Sequence, residues 1–188
     1  MNNLSKIINS WKTVFNKNDI IKIWDFSTFF ALDKFIQRNK ENWILINPFY
    51  WIYTFKKYNI FEFACKLRKL SYISFETVLQ REGIVFQDYW NIIFLACNDT
   101  GEKKVVWKTF KFSKIKNPVL LNPLWINHMG WYMIATKERA ICDRVYLSKN
   151  YYFDNLEWVN FEKLEEISQI YNNKRVILEI NRLIKNAK

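Results

Sequence analysis

The chain has 188 residues, half of them hydrophobic and 19% aromatic, with 29 Lys and Arg against 18 Asp and Glu and a formal net charge of +11. That length buries one core of ordinary size or two small ones, and no apolar run approaches the roughly 18 residues that a membrane span needs. Cys65, Cys97 and Cys142 lie far apart, His128 is the only histidine, and Gly83, Gly101 and Gly130 are the only glycines, so the sequence writes no Cys/His metal site, P-loop or dinucleotide fingerprint.

The start MNNLSKIINSWKTVF is amphipathic and lacks the apolar block and small-residue cleavage site of a signal peptide. The chain therefore reads as soluble and cytoplasmic, with no membrane partner, no metal and no cofactor. A charge of +11 points to a polyanionic partner. Part of it reflects the Asn, Ile, Lys, Phe and Tyr bias that an AT-rich genome imposes. Residues 1–70 hold 12 Lys and Arg against 5 Asp and Glu, and residues 71–188 hold 17 against 13, which concentrates the basic excess in the first third.

Leu4, Ile7, Ile8 and Trp11 follow helical spacing and predict a first helix. Asn16, with Asp19 three residues on, reads as a capping box for a second helix whose buried side is Ile20, Ile21 and Trp24. Ser27 is the expected cap of a third, FFALDKFIQRN, with Phe29, Leu32, Phe35 and Ile36 on one face and Thr28, Lys34, Gln37 and Arg38 off it. After Lys40 the pattern turns extended: WILI, a turn at Asn47-Pro48, then YWIYTF. Three helices followed by a hairpin is the order of elements in a winged helix-turn-helix domain. Small domains that touch no nucleic acid share that order.

KKYNIFEFACKLRKL reads as a connecting helix with Ile60, Phe63, Ala64 and Leu67 on its apolar side. In SYISFETVLQREGI, Ser74 is the expected N-cap, Phe75, Val78 and Leu79 share a face, and Gly83 supplies a left-handed stop with Ile84 folding back towards Leu79. A strand-rich middle follows: NIIFLACN, a turn at Asp99 to Gly101, KVVWKTFKF, and WYMIAT. Thr136 caps KERAICDRVYLS, and NFEKLEEISQIYN and KRVILEINRLIK close the chain as helices.

Two of these stretches, RKLSYISFETVLQREGIV and GWYMIATKERAICDRVYL, resemble the two characteristic blocks of the AbiEi family of antitoxins, in order and separation. The tail NFEKLEEISQIYNNKRVILEINRLIK is similar to that family's closing helices, so the resemblance covers roughly residues 60 to 185. It implies an α+β protein with an N-terminal winged helix-turn-helix domain over 1–57 and a mixed α/β antitoxin-like domain over 58–188. It also implies a non-enzymatic autorepressor of a type IV toxin-antitoxin system, active in abortive infection and phage defence. Such a protein binds inverted repeats in its own promoter as double-stranded DNA, with possible self-association there. It counters a nucleotidyltransferase-like toxin without holding it in a stable complex. The expected DNA contacts are Thr28, Lys34, Gln37 and Arg38 on the third helix, with Lys40, Lys56 and Lys57 flanking the hairpin.

The family's wing usually carries Gly and Arg, whereas WILINPFYWIYTF has neither. That departure keeps a second reading open: a protein-interaction module whose winged helix no longer binds DNA. The aromatic excess, including Trp43, Tyr50, Trp51 and Tyr53, raises base stacking on single strands, but helical and strand spacing explain most of those rings as core. An enzyme reading rests on Glu138 and Asp143 and predicts that they converge in an open cleft. Their arginine neighbours, Arg139 and Arg144, favour structural pairing instead. His128 reads as a loop or core residue.

Overall fold

The computed structural model describes residues 10–23, 26 and 28–187. Among them are eight helices and two sheets, a mixed α+β architecture, and the chain divides into two compact units, Met1–Leu67 and Arg68–Lys188. No helix among the described residues is long and apolar enough to cross a membrane.

The first unit runs β1 (Val14–Phe15), α1 (Lys17–Ile23), α2 (Phe29–Glu41), β2 (Ile46–Phe49), β3 (Ile52–Thr54) and α3 (Ile60–Lys66). Its sheet is antiparallel in the order β1-β3-β2, with Val14 opposite Thr54 and Phe49 opposite Ile52. Leu4, Ile7 and Ile8 of the expected first helix lie outside the described residues, and Trp11 is an exposed turn residue rather than part of a helix face. The capping box at α1 forms as its spacing requires: the Asp19 amide donates to Asn16 Oδ1 at 2.8 Å, and the Asn16 amide to Asp19 Oδ2 at 2.8 Å. Phe15, Ile20, Leu32, Ile36 and Tyr53 then close one core.

The helix expected to connect the domains, α3, belongs to this first unit. Asn59 caps it, accepting from the Phe61 and Glu62 amides at 2.9 and 3.3 Å. Buried Glu62 reaches back to β1, where its Oε2 accepts from the Thr13 amide at 2.9 Å and hydroxyl at 2.6 Å. Its Oε1 accepts from the Val14 amide at 3.2 Å. One carboxylate thereby fixes the two-residue strand that completes the sheet.

The second unit contains β4 (Ser71–Ile73), α4 (Glu76–Arg81), β5 (Ile92–Cys97), β6 (Gly101–Val105), β7 (Lys108–Lys114), α5 (Asn117–Leu120), β8 (Ile126–His128), β9 (Met133–Ala135), α6 (Lys137–Leu147), α7 (Phe161–Gln169) and α8 (Lys174–Ala187). Its six strands order β6-β7-β5-β4-β9-β8, parallel at β5/β7 and β4/β9 and antiparallel elsewhere. Helix α6 packs against α4, α7 and α8. Leu95, Phe110, Phe112, Ile141, Leu164 and Ile180 are among the side chains buried in the unit.

The stretch from Ser71 to Ile84 is a strand, a tight corner and a short helix, not a helix capped by Ser74. Phe75 takes the N-cap position at φ 54, with no side-chain cap, while Ser74 turns inward. A non-glycine residue held at φ 54 and ψ −141 costs about 1–3 kcal/mol, and fully burying a phenylalanine ring offsets that by about 1.5–3 kcal/mol. Phe75 is almost wholly buried, so the corner is held by its ring. At the other end the stop is as expected: Gly83 sits at φ 69, and the Ile84 amide donates to the Leu79 carbonyl at 2.8 Å. The segment KVVWKTFKF is not one strand. Val106 and Trp107 form a two-residue turn that splits it into β6 and β7.

Candidate functional site

Helix α2 carries most of the residues expected to face a partner. Its N-cap is Thr28, whose Oγ1 accepts from the Ala31 amide at 3.2 Å. Ser27, the expected cap, lies outside the described residues, and the Thr28 hydroxyl is engaged in holding the helix end. Leu32, Ile36 and Asn39 face inward. Phe30, Lys34, Gln37, Arg38 and Glu41 follow helical spacing along an exposed strip.

Within that strip Lys34 Nζ lies 4.5 Å from the Phe30 ring centre, and Gln37 Nε2 donates to Glu41 Oε1 at 3.1 Å. Asp33 pairs with Lys17 at 2.6 Å. Lys34, Arg38 and Lys40 thus share the surface of α2 with two carboxylates, and Lys56 and Lys57 are exposed beyond β3. All seven expected contacts, Thr28 included, are solvent-facing, as contact to phosphate or base edges requires.

The helix ends without glycine. Trp43 occupies the left-handed position at φ 55, with the Ile44 amide donating to the Asn39 carbonyl at 2.9 Å and the Trp43 amide to the Lys40 carbonyl at 3.0 Å. The turn of the β2–β3 hairpin is at Tyr50 and Trp51, not at Asn47-Pro48. Asn47 serves the turn from within β2: its Nδ2 donates to the carbonyls of Tyr50 and Ile52, the latter at 2.7 Å. The core assignment of the four rings also fails for three of them. Trp43, Tyr50 and Trp51 are each more than 70% exposed, and only Tyr53 is buried. Their period-two and helical spacing is interrupted by the turn and by the helix stop, which turn the rings outward.

In the second unit the polar chemistry is internal. Asp143 and Arg139, one turn apart on α6, are both fully buried, with Arg139 Nε 3.6 Å from Asp143 Oδ1. Ser74 Oγ donates to Asp143 Oδ2 at 2.7 Å, Tyr171 to Oδ1 at 2.5 Å, and Tyr72 to Oδ2 at 3.0 Å. Arg139 also donates to the carbonyls of Val119 at 2.7 Å and Leu124 at 3.0 Å. The cluster ties the corner after β4, the α5 segment, α6 and Tyr171, two residues past α7, together.

Burial pushes the Asp143 carboxyl above its usual range, against the guanidinium and the three hydroxyl donors that favour its charge. Burial also works against the Arg139 charge, but Tyr171, Asp143 and Tyr72 outweigh it and the guanidinium stays protonated. Burial likewise raises the Tyr72 and Tyr171 hydroxyls well above the usual phenol range.

Glu138 is engaged separately, its Oε1 accepting from the Asn160 amide at 3.2 Å, and Arg144 pairs with Glu76 at 3.0 Å. The two carboxylates of the enzyme reading are therefore held in separate structural pairings, with Asp143 sealed from solvent. Among the described residues no group of three His, Cys, Asp or Glu side chains is placed to hold a metal ion. His128 is exposed on the edge strand β8, where it lines a mainly apolar cavity of about 280 Å³ with Leu70, Tyr72, Leu121, Ile126 and Met133.

Sequence signals for the internal cluster were present but ambiguous. Arg139 and Asp143 at i, i+4 predict a pair, and nothing in their spacing tells a buried pair from a surface one. Compared with known proteins, the chain matches no protein-family model and no curated protein.

Proposed function

We propose that the first unit is a winged helix-turn-helix domain and that the protein is a DNA-binding autorepressor and antitoxin of the AbiEi kind. The observation that carries the DNA reading is the sheet order β1-β3-β2 with α1 and α2 inserted between β1 and β2. That topology leaves the outer strip of α2, with Lys34, Gln37 and Arg38, open to a major groove. Lys40, Lys56 and Lys57 supply charge for backbone contacts at its margins. In this reading two copies occupy the inverted repeats of the promoter, and the second unit supplies the activity that counters a nucleotidyltransferase-like toxin without a stable complex.

A gel shift on the DNA upstream of the gene tests the DNA reading. Lys34→Ala with Arg38→Ala should weaken binding at every sequence and lower the slope of log affinity against log salt by about 2. An unchanged shift removes α2 from the interface. Co-expression with the product of the adjacent reading frame tests the antitoxin reading, which fails if growth arrest by that product is not relieved.

The exposed Trp43, Tyr50 and Trp51 rings favour one alternative, a protein-interaction module docking through the hairpin. It predicts that Tyr50→Ser with Trp51→Ser abolishes partner capture while leaving the gel shift intact.

A further inference from the structure

The charge of the second unit is not spread over it. Residues 68–188 hold 19 Lys and Arg against 13 Asp and Glu, and residues 101–116 alone hold six lysines against Glu102. Outside that stretch the unit is nearly neutral, at 13 against 12. The stretch is the β6–β7 hairpin and its exit, at the edge of the six-stranded sheet. Pairing of Lys104 with Thr109 and of Glu102 with Lys111 puts all four on one face, with Lys104 Nζ 3.9 Å from Glu102 Oε1, and β5 adds Phe94 beside Lys111. Lys111 Nζ is 5.8 Å from the Phe94 ring centre. Lys114, the last residue of β7 and on its other face, and Lys116 beyond the strand are also exposed.

At the tip of the same hairpin, Trp107 stacks with Trp90, ring centres 6.1 Å apart and planes within 23°. Both rings are more than 60% exposed. Lys108 fixes the pair: its ammonium lies 4.4 Å from the Trp107 centre and 5.8 Å from that of Trp90, and it donates to the Trp90 carbonyl. A surface tryptophan pair braced in this way retains large open ring faces at little conformational cost. Exposed indoles beside a lysine-rich strand match the two needs of an unpaired polynucleotide: a π-surface for bases and cations for the backbone. A duplex cannot use the indoles without unstacking its bases, and a neutral peptide leaves the lysines unused.

We propose that the Trp90–Trp107 pair and the β6–β7 lysines form a binding surface for single-stranded nucleic acid, separate from the α2 strip. Bases stack on the exposed indole faces while Lys104 and Lys111 follow the phosphates.

Fluorescence anisotropy with labelled thymidylate and uridylate oligomers of about 12 nucleotides tests the proposal on the full-length chain. Wild-type protein should bind them, with affinity falling as salt rises. Trp90→Ala with Trp107→Ala should weaken binding about tenfold or more, and the paired Phe substitutions should recover part of the loss. Lys104→Gln with Lys111→Gln should lower the salt slope by about 1.4. Lys34→Ala with Arg38→Ala should leave single-strand affinity unchanged, which separates this surface from the proposed duplex interface. No oligomer binding by the wild type overturns the proposal. Full affinity in the folded Trp→Phe or Lys→Gln variants together with the Ala pair overturns it as well. A preference for the uridylate oligomer over a deoxyuridylate oligomer of the same length, which differs in the 2′-hydroxyl alone, would identify that hydroxyl as part of what is read.

Discussion

The two units both keep aromatic rings at the surface and differ in how completely they bury charge. The first turns Trp43, Tyr50 and Trp51 outward around a small core of Phe15, Ile20, Leu32, Ile36 and Tyr53. The second buries even an arginine and an aspartate, surrounding Asp143 with Ser74, Tyr72, Tyr171 and Arg139. Rings on the outside contribute little to folding, whereas a buried ion pair constrains every element that reaches it. The second unit is the more tightly specified frame, and its exposed rings, Trp90 and Trp107 among them, lie outside that cluster.

Breaking the internal cluster should have the largest effect. Asp143→Ala leaves the Arg139 guanidinium buried without its counter-charge, which costs about 3–5 kcal/mol. Urea unfolding should report that loss. A cost below about 1 kcal/mol would mean that the cluster is bridged by water and does not organise the unit. In the first unit the nearest equivalent is Glu62, which accepts from the Thr13 amide, the Thr13 hydroxyl and the Val14 amide. Glu62→Ala should cost about 2 kcal/mol, since the bonds are to a charged acceptor and the amides of β1 lose their partner. The two-residue β1 should then exchange its amide hydrogens faster than β3 does.

The helix stops sharpen the same contrast. Helix α4 ends on Gly83 at φ 69, and nothing would lie within 4 Å of an added Cβ there. Gly83→Ala therefore carries only the backbone penalty, about 1 kcal/mol. Helix α2 ends in the same geometry on Trp43, whose ring is exposed. Trp43→Gly should stabilise the first unit by up to about 1 kcal/mol, by the same reasoning with the sign reversed. A destabilised variant would show that the ring packs on its own unit. A stabilised variant leaves Trp43 as a side chain kept at a cost to folding, as strained residues at binding surfaces are.

These pairs also explain how far the sequence was legible. Signals closed within a few residues held: the reciprocal bonds of Asn16 and Asp19, the Gly83 stop, the Thr136 cap that accepts from the Arg139 amide, and the terminal helices α7 and α8. Signals that depend on a distant partner did not. Ser74 has the residue type and position of a cap, but Asp143, 69 residues away, takes its hydroxyl. Strand β1 was missed because two residues carry no period, and it exists through β3 and Glu62. Turns were misplaced where the chain has almost no glycine to mark them: Tyr50 and Val106 hold positive-φ positions instead. Those turns expose Tyr50 and Trp51, and they place Trp107 beside Trp90. The lysines of 101–116 were countable from the start, but only the hairpin gathers them at one edge of the sheet.

The smallest effect expected, and the one that opposes the units most directly, is their response to acid. Asp19 is held by Lys12 and Lys66, each at 2.8 Å, and by the Asn16 amide. Burial raises its carboxyl, and these bonds outweigh that, leaving it below the usual range. A depressed carboxylate stabilises the fold above its unfolded value, near about 4, and that contribution is lost as pH falls through the lower folded value. Asp143 is displaced upward by burial, so its protonation favours the fold: its contribution is complete below the unfolded value and is lost as pH rises through the folded one. Acid thus weakens the first unit through Asp19 and relieves the second through Asp143. Asp19→Asn should cost about 1 kcal/mol at neutral pH, given that Asp19 and Lys66 keep partial contact with solvent while Lys12 is buried. The difference from wild type should shrink as the unfolding measurements move below pH about 4. A difference that stays constant with pH would assign the stabilisation to the capping geometry, which Asn retains in part, and not to the charge held between Lys12 and Lys66.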